Sequence, residues 1–377
     1  MQGCFVVSDN IVSPLGFTTA ENFGQLLKGI GGIKQHVDTG MSAQPFYAAL
    51  FNEGTAFINH NNSYTKFEQL LIASISDALS NCDIQPTDKK TALIISSTKG
   101  NISLVETEPY SAELKERVAL HTSAKLVADY FGFVHKPLVV SNACISGLLA
   151  ILTGMRLMQS GQYENVVVAG ADVITKFVLS GFQSFQAVSL VPCKPFDITR
   201  SGISLGEGAS TVILSSNRKY ASGIEVMGGS VSNDANHISG PSRTGEELAL
   251  VINKALQEAG LQPTDIDFIS AHGTATPYND EMEAKAIALS GLQTVPVNSL
   301  KGYYGHTLGA AGLVESIISI QSLKQNVVLP TKGFEELGVT KSINVTNTML
   351  HGSYNKCLKT ASGFGGCNAA LVFGKMV

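Results

Sequence analysis

The chain has 377 residues, a formal net charge of −4, 44% hydrophobic residues and only 15% charged residues. That length suffices for one large domain or two medium ones around a sizeable core. The slightly acidic balance excludes the broad basic footprint of non-specific nucleic-acid binding, and the scarcity of charge predicts that another subunit covers part of the surface.

The opening residues, MQGCFVVSDNIVSPLG, carry no basic leader, long apolar run or cleavage site. No apolar stretch reaches the roughly 18 to 20 residues that span a bilayer. The six cysteines, Cys4, Cys82, Cys144, Cys193, Cys357 and Cys367, show no C-x-x-C pair and no metal-like spacing. Free thiols in a reducing, cytoplasmic compartment are expected. The glycosylation-type triplets at Asn61 and Asn344 are then chance matches.

In chain order, strand CFVVS (4–8) precedes an amphipathic helix, EQLLIASISDALSNC (68–82), and strands ALIIS (92–96) and LVVSN (138–142). LVVSN runs through Ala143 and Cys144 into a helix, ISGLLAILTGMRLMQSG. That helix is apolar nearly all round, at Ile145, Leu148, Leu149, Ile151, Leu152 and Met155, so it is expected to be buried and central. Strands NVVVAGA (165–171) and STVILS (210–215) complete the first half. The second half reads as helix GEELALVINKALQEAG (245–260), then strands DFISAH (267–272), VPVNS (295–299) and AALVFG (369–374). This alternation predicts an α/β fold with buried, largely parallel strands.

A twofold rhythm accompanies it. ALSNCDIQPTDKKTALIISST in the first half parallels LQEAGLQPTDIDFISAHGT in the second. Each reads as a helix, a Pro-Thr-Asp turn and an apolar strand. An internally duplicated fold is expected, with halves 1–215 and 216–377 meeting where SSNRKYASG interrupts the pattern.

Cys144 lies in a tight turn of small residues, Ala143, Ser146 and Gly147. At the start of a helix it would feel the positive end of the helix dipole, which favours the thiolate. Free N–H groups there can also bind an oxyanion. The competing reading is a core cysteine acting as a small hydrophobe. His272 ends strand DFISA and opens the polar turn GTATP, at a strand end where α/β sites lie. His306 sits in KGYYGHTLGAAGLVESI, five residues after Lys301 and nine before Glu315. Glu315 lies in an apolar stretch and needs a partner. A metal is the rival use of two histidines, but their spacing fits no compact zinc pattern. His36, His60, His121, His135 and His351 read as structural.

Four stretches, SNACISG, AHGTATP, KGYYGHTLGAAG and GFGGCN, follow one another in this order, with FDITRSGISLGEGAS (196–210) and NDANHISGP (233–241) between the first and the second. On them the chain resembles the β-ketoacyl-acyl-carrier-protein synthases of the elongating Cys-His-His class, over nearly its whole length. The resemblance implies a thiolase-like α/β fold, internally duplicated in five αβαβα layers. It implies decarboxylative condensation of a cysteine-bound acyl group with malonyl-acyl-carrier protein, in fatty-acid or polyene/polyketide-type lipid synthesis. Cys144 would be the acylated nucleophile. His272 and His306 would flank the malonyl thioester, and Lys301 with Glu315 would support His306. Phe364 would gate the pocket, its N–H and that of Cys144 forming an oxyanion hole. Phe182 would line the acyl pocket, and Thr274 and Thr276 would bind the pantetheine arm. Asp197, Arg200 and Glu207 would form one buried charged cluster.

No metal or redox cofactor is implied, since substrates arrive on the phosphopantetheine of an acyl carrier protein. A homodimer is expected, with a heterodimer with a related subunit also open. The chain departs from the pattern at several points. The region 60–140 is short. Gln186 stands where an arginine is usual, and the basic cluster near 64–68 is reduced to Lys66, leaving Lys194 and Arg200 as docking candidates. Cys367 replaces a small hydroxyl residue and reads as packing, while Cys4, Cys82, Cys193 and Cys357 read as structural. The alternatives are a silent or partner-dependent subunit of the chain-length-factor kind, and a biosynthetic thiolase. Intact Cys144, His272, His306 and Lys301 argue against a silent role, leaving an active half of a heterodimer open, and the histidine pair argues against the thiolase.

Overall fold

The computed structural model describes residues 3–58, 63–236 and 240–376. His60, Asn61 and residues 237–239 of NDANHISGP lie outside them. The strands of the large sheet are, in chain order, β1 (Phe5–Val12), β2 (Thr91–Ser96), β3 (Leu138–Val140), β4 (Asn165–Asp172), β5 (Gly208–Ser215), β6 (Ile224–Asn233), β7 (Phe268–Ser270), β8 (Val297–Asn298), β9 (Lys356–Gly363) and β10 (Cys367–Lys375). They hydrogen-bond in the order β8-β7-β9-β10-β6-β1-β5-β4-β2-β3. Each end repeats one plan outward from the centre: first, fifth, fourth, second, third strand. The two ends meet at a single pairing, Phe5 with Glu225.

Direction repeats as well. The inner pairings β1/β5, β5/β4, β6/β10 and β10/β9 are antiparallel. The outer pairings β4/β2, β2/β3, β9/β7 and β7/β8 are parallel. The expectation of a largely parallel sheet is therefore corrected, since the central pairing is antiparallel too. Antiparallel neighbours need no helical crossover, as at the short turn from β9 to β10, whereas the connection from β4 to β5 is long and carries the helix Lys176–Ser184.

Among the helices of the described residues, seven frame the sheet and the site: α1 (Lys66–Ser80), α2 (Leu120–Phe131), α3 (Ser146–Gln159), α4 (Lys176–Ser184), α5 (Glu246–Ala259), α6 (Pro277–Leu289) and α7 (Ala311–Gln325). α1 packs on β1, β4 and β5 with α2 beside it, and α5 packs on β6 and β10 with α6 beside it. α3 and α7 touch strands of both halves and each other. The result is five layers, with α3 and α7 in the middle. That is why β4 is buried at all eight positions and α7 at every residue from Ala311 to Ile320. Each fully buried Leu or Ile there contributes about 1.5–3 kcal/mol.

α3 and α7 cross at paired glycines. A Cβ on Gly147 would lie 2.7 Å from the Leu313 backbone nitrogen, and one on Gly312 would lie 2.7 Å from that of Leu148. Any larger residue would force the helices apart. Strand lengths differ from expectation at two places. LVVSN stops pairing at Val140, where the Cys144 turn begins, and VPVNS pairs only at Val297 and Asn298.

Candidate active site

The turn carrying Cys144 is pinned from within. Ser146 Oγ accepts from the Asn142 N–H at 2.8 Å and donates to the Ala143 carbonyl at 2.6 Å. The strain falls on Ala143, with φ at +43°, in the left-handed region that L-residues avoid. The two histidine segments are strained alike, at Ala275 (φ +64°) and Leu308 (φ +52°). Left-handed non-glycine residues cost about 1–3 kcal/mol each and cluster where a fold aims side chains into a site.

These turns converge. His306 Nε2 lies 3.0 Å from Cys144 Sγ, and the His272 and His306 rings stand edge to face with centroids 5.3 Å apart. The Phe364 N–H is near enough to the Cys144 sulfur to favour its charged form. Gly363 makes this approach possible, because a Cβ there would sit 2.9 Å from the Cys144 nitrogen. Cys144, His272, His306, Phe364, Phe182, Thr274 and Thr276 all line one cavity of about 430 Å³. Thr274 and Thr276 join their hydroxyls at 2.9 Å. Phe182 stacks on Phe364 at 5.7 Å between centroids. Lys301 and Glu315 lie behind the histidines, buried and ion-paired through Nζ and Oε1.

Two family profiles divide the chain: "Beta-ketoacyl synthase, N-terminal domain" over residues 31–219 and "Beta-ketoacyl synthase, C-terminal domain" over residues 224–335. The chain belongs to the β-ketoacyl synthase family. It is 30% identical, over 98% of both chains, to the 3-oxoacyl-[acyl-carrier-protein] synthase 2 of Vibrio cholerae. Its fold matches a β-ketoacyl synthase from Burkholderia phymatum with a TM-score of 0.90 at 23% identity over 100% of both chains. It also matches a ketosynthase of Xenorhabdus doucetiae, solved in complex with its chain length factor, with a TM-score of 0.87 at 23% identity over 100% of this chain and 98% of that one. The fold is thus thiolase-like, as the resemblance implied.

The electrostatics of this site differ from expectation at Cys144. Burial pushes the Cys144 thiol up to about 12, Cys367 adds to the rise, and Lys301 and the Phe364 N–H only partly oppose it. The expected dipole-stabilised thiolate is corrected, because α3 begins two residues later and desolvation wins. Both imidazoles are held well below the ordinary histidine range, by burial first and then by nearby ammonium groups. Cys144, His272 and His306 offer ligand atoms within 4.8 Å of one another, enough to interest a soft cation. The ammonium groups of Lys301 and Lys359 oppose one there.

Three buried charged groups around the site escaped the sequence reading. Lys359, fully buried on β9, places Nζ 2.7 Å from Glu315 Oε2, so one carboxylate holds two lysines. Glu283 on α6 accepts the N–H groups of His272 at 2.8 Å and Gly273 at 2.7 Å. Asp172 at the end of β4 accepts from Ser97 Oγ at 2.7 Å and from the Gly309 N–H at 2.7 Å, tying the His306 segment to the first half. The available signals were a lone lysine inside an apolar strand and carboxylates three apart, Asp280 and Glu283, on one helix face.

The expected Asp197–Arg200–Glu207 cluster is two separate clusters. Asp197 accepts from the Glu335 and Glu336 N–H groups at 2.8 and 3.1 Å. Arg200 donates to the Asp197 carbonyl at 3.0 Å and lies near Asp280. Glu207 instead pairs with Lys66 at 2.6 Å and accepts the Phe51 N–H at 2.8 Å. The loops around them, not the sequence spacing, decide the partners. Lys66 is therefore engaged, and Arg200, with 9% of its side chain exposed, is buried against its partners; neither is a free docking base. Cys367 donates to the Phe364 carbonyl at 3.4 Å, beneath the gate rather than into the cavity.

Proposed function

We propose that this synthase transfers an acyl group from an acyl carrier protein to Cys144 and condenses it, with loss of carbon dioxide, with malonyl-acyl-carrier protein. The product is β-ketoacyl-acyl-carrier protein, in fatty-acid or polyene/polyketide-type lipid synthesis. The observation that carries this reading is the 3.0 Å approach of His306 Nε2 to Cys144 Sγ, with a second buried imidazole beside it.

In the first step the Cys144 proton passes to His306 as sulfur attacks the thioester carbonyl, and the carrier thiol leaves with a proton. The Cys144 and Phe364 N–H groups receive the tetrahedral oxyanion. In the second step the malonyl carboxylate leaves as carbon dioxide, and neutral His272 and His306 donate hydrogen bonds to the forming enolate oxygen. The enolate carbon attacks the acyl-cysteine, and Cys144 leaves as thiolate and is reprotonated. These steps call on no metal or redox group. Lys301, held by Glu315, supports His306. Phe364 gates the cavity, Phe182 lines its acyl end, and Thr274 and Thr276 face the pantetheine arm.

The carrier protein is the substrate-bearing partner. A second copy of the chain is the simplest quaternary partner, and a partner of the chain-length-factor kind, such as the Xenorhabdus doucetiae ketosynthase has in its complex, is the other. The duplication is drawn between residues 1–215 and 216–377, supported by the repeated strand order on either side. No described helix is long and apolar enough to cross a membrane, and a cytoplasmic location fits the six free thiols.

Intact-mass measurement tests the reading. Acyl-carrier proteins of several chain lengths should add an acyl mass that Cys144→Ala abolishes. Malonyl-carrier protein should then remove it and release a β-ketoacyl product two carbons longer. Absence of acylation with every chain length, in the presence of candidate partner subunits, overturns it.

A further inference from the structure

Lys359 has no place in the reaction just described, yet the fold gives it unusual treatment. It is a fully buried lysine on an interior strand. β9 pairs with β7 in register, Lys359 opposite Ser270, and β7 runs directly into His272. From there its ammonium donates to the Ser270 carbonyl at 3.1 Å and the Ala271 carbonyl at 3.2 Å, the two carbonyls just before His272. Its next neighbour holds the same turn from the other side. Thr360 Oγ1 donates at 2.7 Å to Glu283, which accepts the His272 and Gly273 N–H groups. On its far side Lys359 meets Glu315 of α7, the helix that follows His306 and whose other oxygen holds Lys301.

We propose that Lys359 is a positioning residue that fastens the His272 turn to the helix behind His306 and, with Lys301, keeps both imidazoles neutral for hydrogen-bond donation. This rests on the condensing reading above. The charged and titratable groups acting on it are Glu315, Lys301 and Glu283, with Cys357 on its own strand and the two imidazoles in front. Two buried cations and the carboxylates Glu315 and Glu283 balance. Removing the Lys359 charge leaves an excess of negative charge beside both rings, which favours imidazolium. In support, Lys359 is among the groups that depress both histidines, after burial and Lys301.

Three variants test it. Lys359→Arg keeps the charge, Lys359→Gln keeps a donor for the two carbonyls but no charge, and Lys359→Met removes both. Histidine side-chain NMR titration reads the two imidazoles without any substrate, so its result stands even where condensation is not observed in the wild type. In Lys359→Gln the His272 and His306 transitions should move up by about one pH unit. The acid limb of kcat/KM should move with them, and Lys359→Arg should retain the wild-type limb. A uniform loss of kcat with both transitions and the limb unmoved overturns the proposal in favour of a packing role, as does failure of both neutral variants to fold while Lys359→Arg folds. Wild-type condensation absent with the transitions shifted overturns the condensing reading alone.

Discussion

Cys144 rests as a protonated thiol, pushed up to about 12 by burial before any neighbouring charge. Its alkylation by iodoacetamide should climb steadily with pH through about 9, without the plateau near neutrality that a preformed thiolate gives. His306→Ala should slow it further, because the proton loses its acceptor at 3.0 Å. The histidines set the opposite limit. Both must be neutral, and both titrate well below 6.5. The condensation rate should therefore hold as pH falls from 8 through 6.5, with its acid limb below that value. Their sign in stability is separate. Folded, they bind fewer protons than unfolded, so stability is lost as pH falls through the unfolded value of 6.5. Asp280, raised to about 7 chiefly by burial, binds more protons folded and adds stability as pH falls from 7 towards 3.8. Asp280→Asn should thus show a steeper fall in melting temperature between pH 7 and about 5 than the wild type.

At this scale the groups that meet at the cavity were legible. Cys144, His272, His306 and Phe364 each stand among glycines and small residues that mark a turn of special geometry. Lys359 and Glu283 were not, because their partners come from strand register and helix packing across 88 or 89 and 10 or 11 positions.

Among elements, the loops around the cavity decide access. Phe364 is caught between Phe182, stacked at 27°, and Phe185, edge-on at 5.4 Å. Phe185 is 56% exposed, so it backs the Phe364 ring from the solvent side. Phe185→Ala should loosen the gate, raising acylation of Cys144 by bulky acyl chains relative to short ones; competition between chain lengths read by intact mass checks this. Aromatic pairs of this kind contribute about 0.5–1.5 kcal/mol, so the preference should change several-fold rather than a thousandfold. The α6 helix acts on the same segment from behind. Glu283→Gln leaves one of two buried N–H donors without its carboxylate and should lower stability by about 1–3 kcal/mol in urea denaturation. The element pattern itself was readable from alternating apolar runs. Strand direction was not, because it depends on which strand each chain segment returns beside, and periodicity carries no such information.

For the whole molecule, the repeated strand order makes the two halves equivalent about the middle layer. α3 stands between the third and fourth strands of the first half, α7 between the third and fourth of the second. Each packs on strands of the other half, so neither half can bury its own central helix alone. Urea unfolding followed by fluorescence and by circular dichroism should coincide in one transition. The twofold rhythm of helix, Pro-Thr-Asp turn and strand announced this duplication, while the sharing of the central helices was hidden in packing.

The paired glycines then acquire a meaning beyond packing. Cys144 precedes α3 and His306 precedes α7, so the sulfur-to-nitrogen gap is a caliper reading of how closely two helices approach where Gly147 and Gly312 interlock. A single methyl at position 147 touches neither reacting atom, yet it opens the jaws. Gly147→Ala should therefore slow proton transfer from sulfur more than its loss of stability predicts, and the chemistry of this family of turns is tuned by a spacing with no side chain of its own.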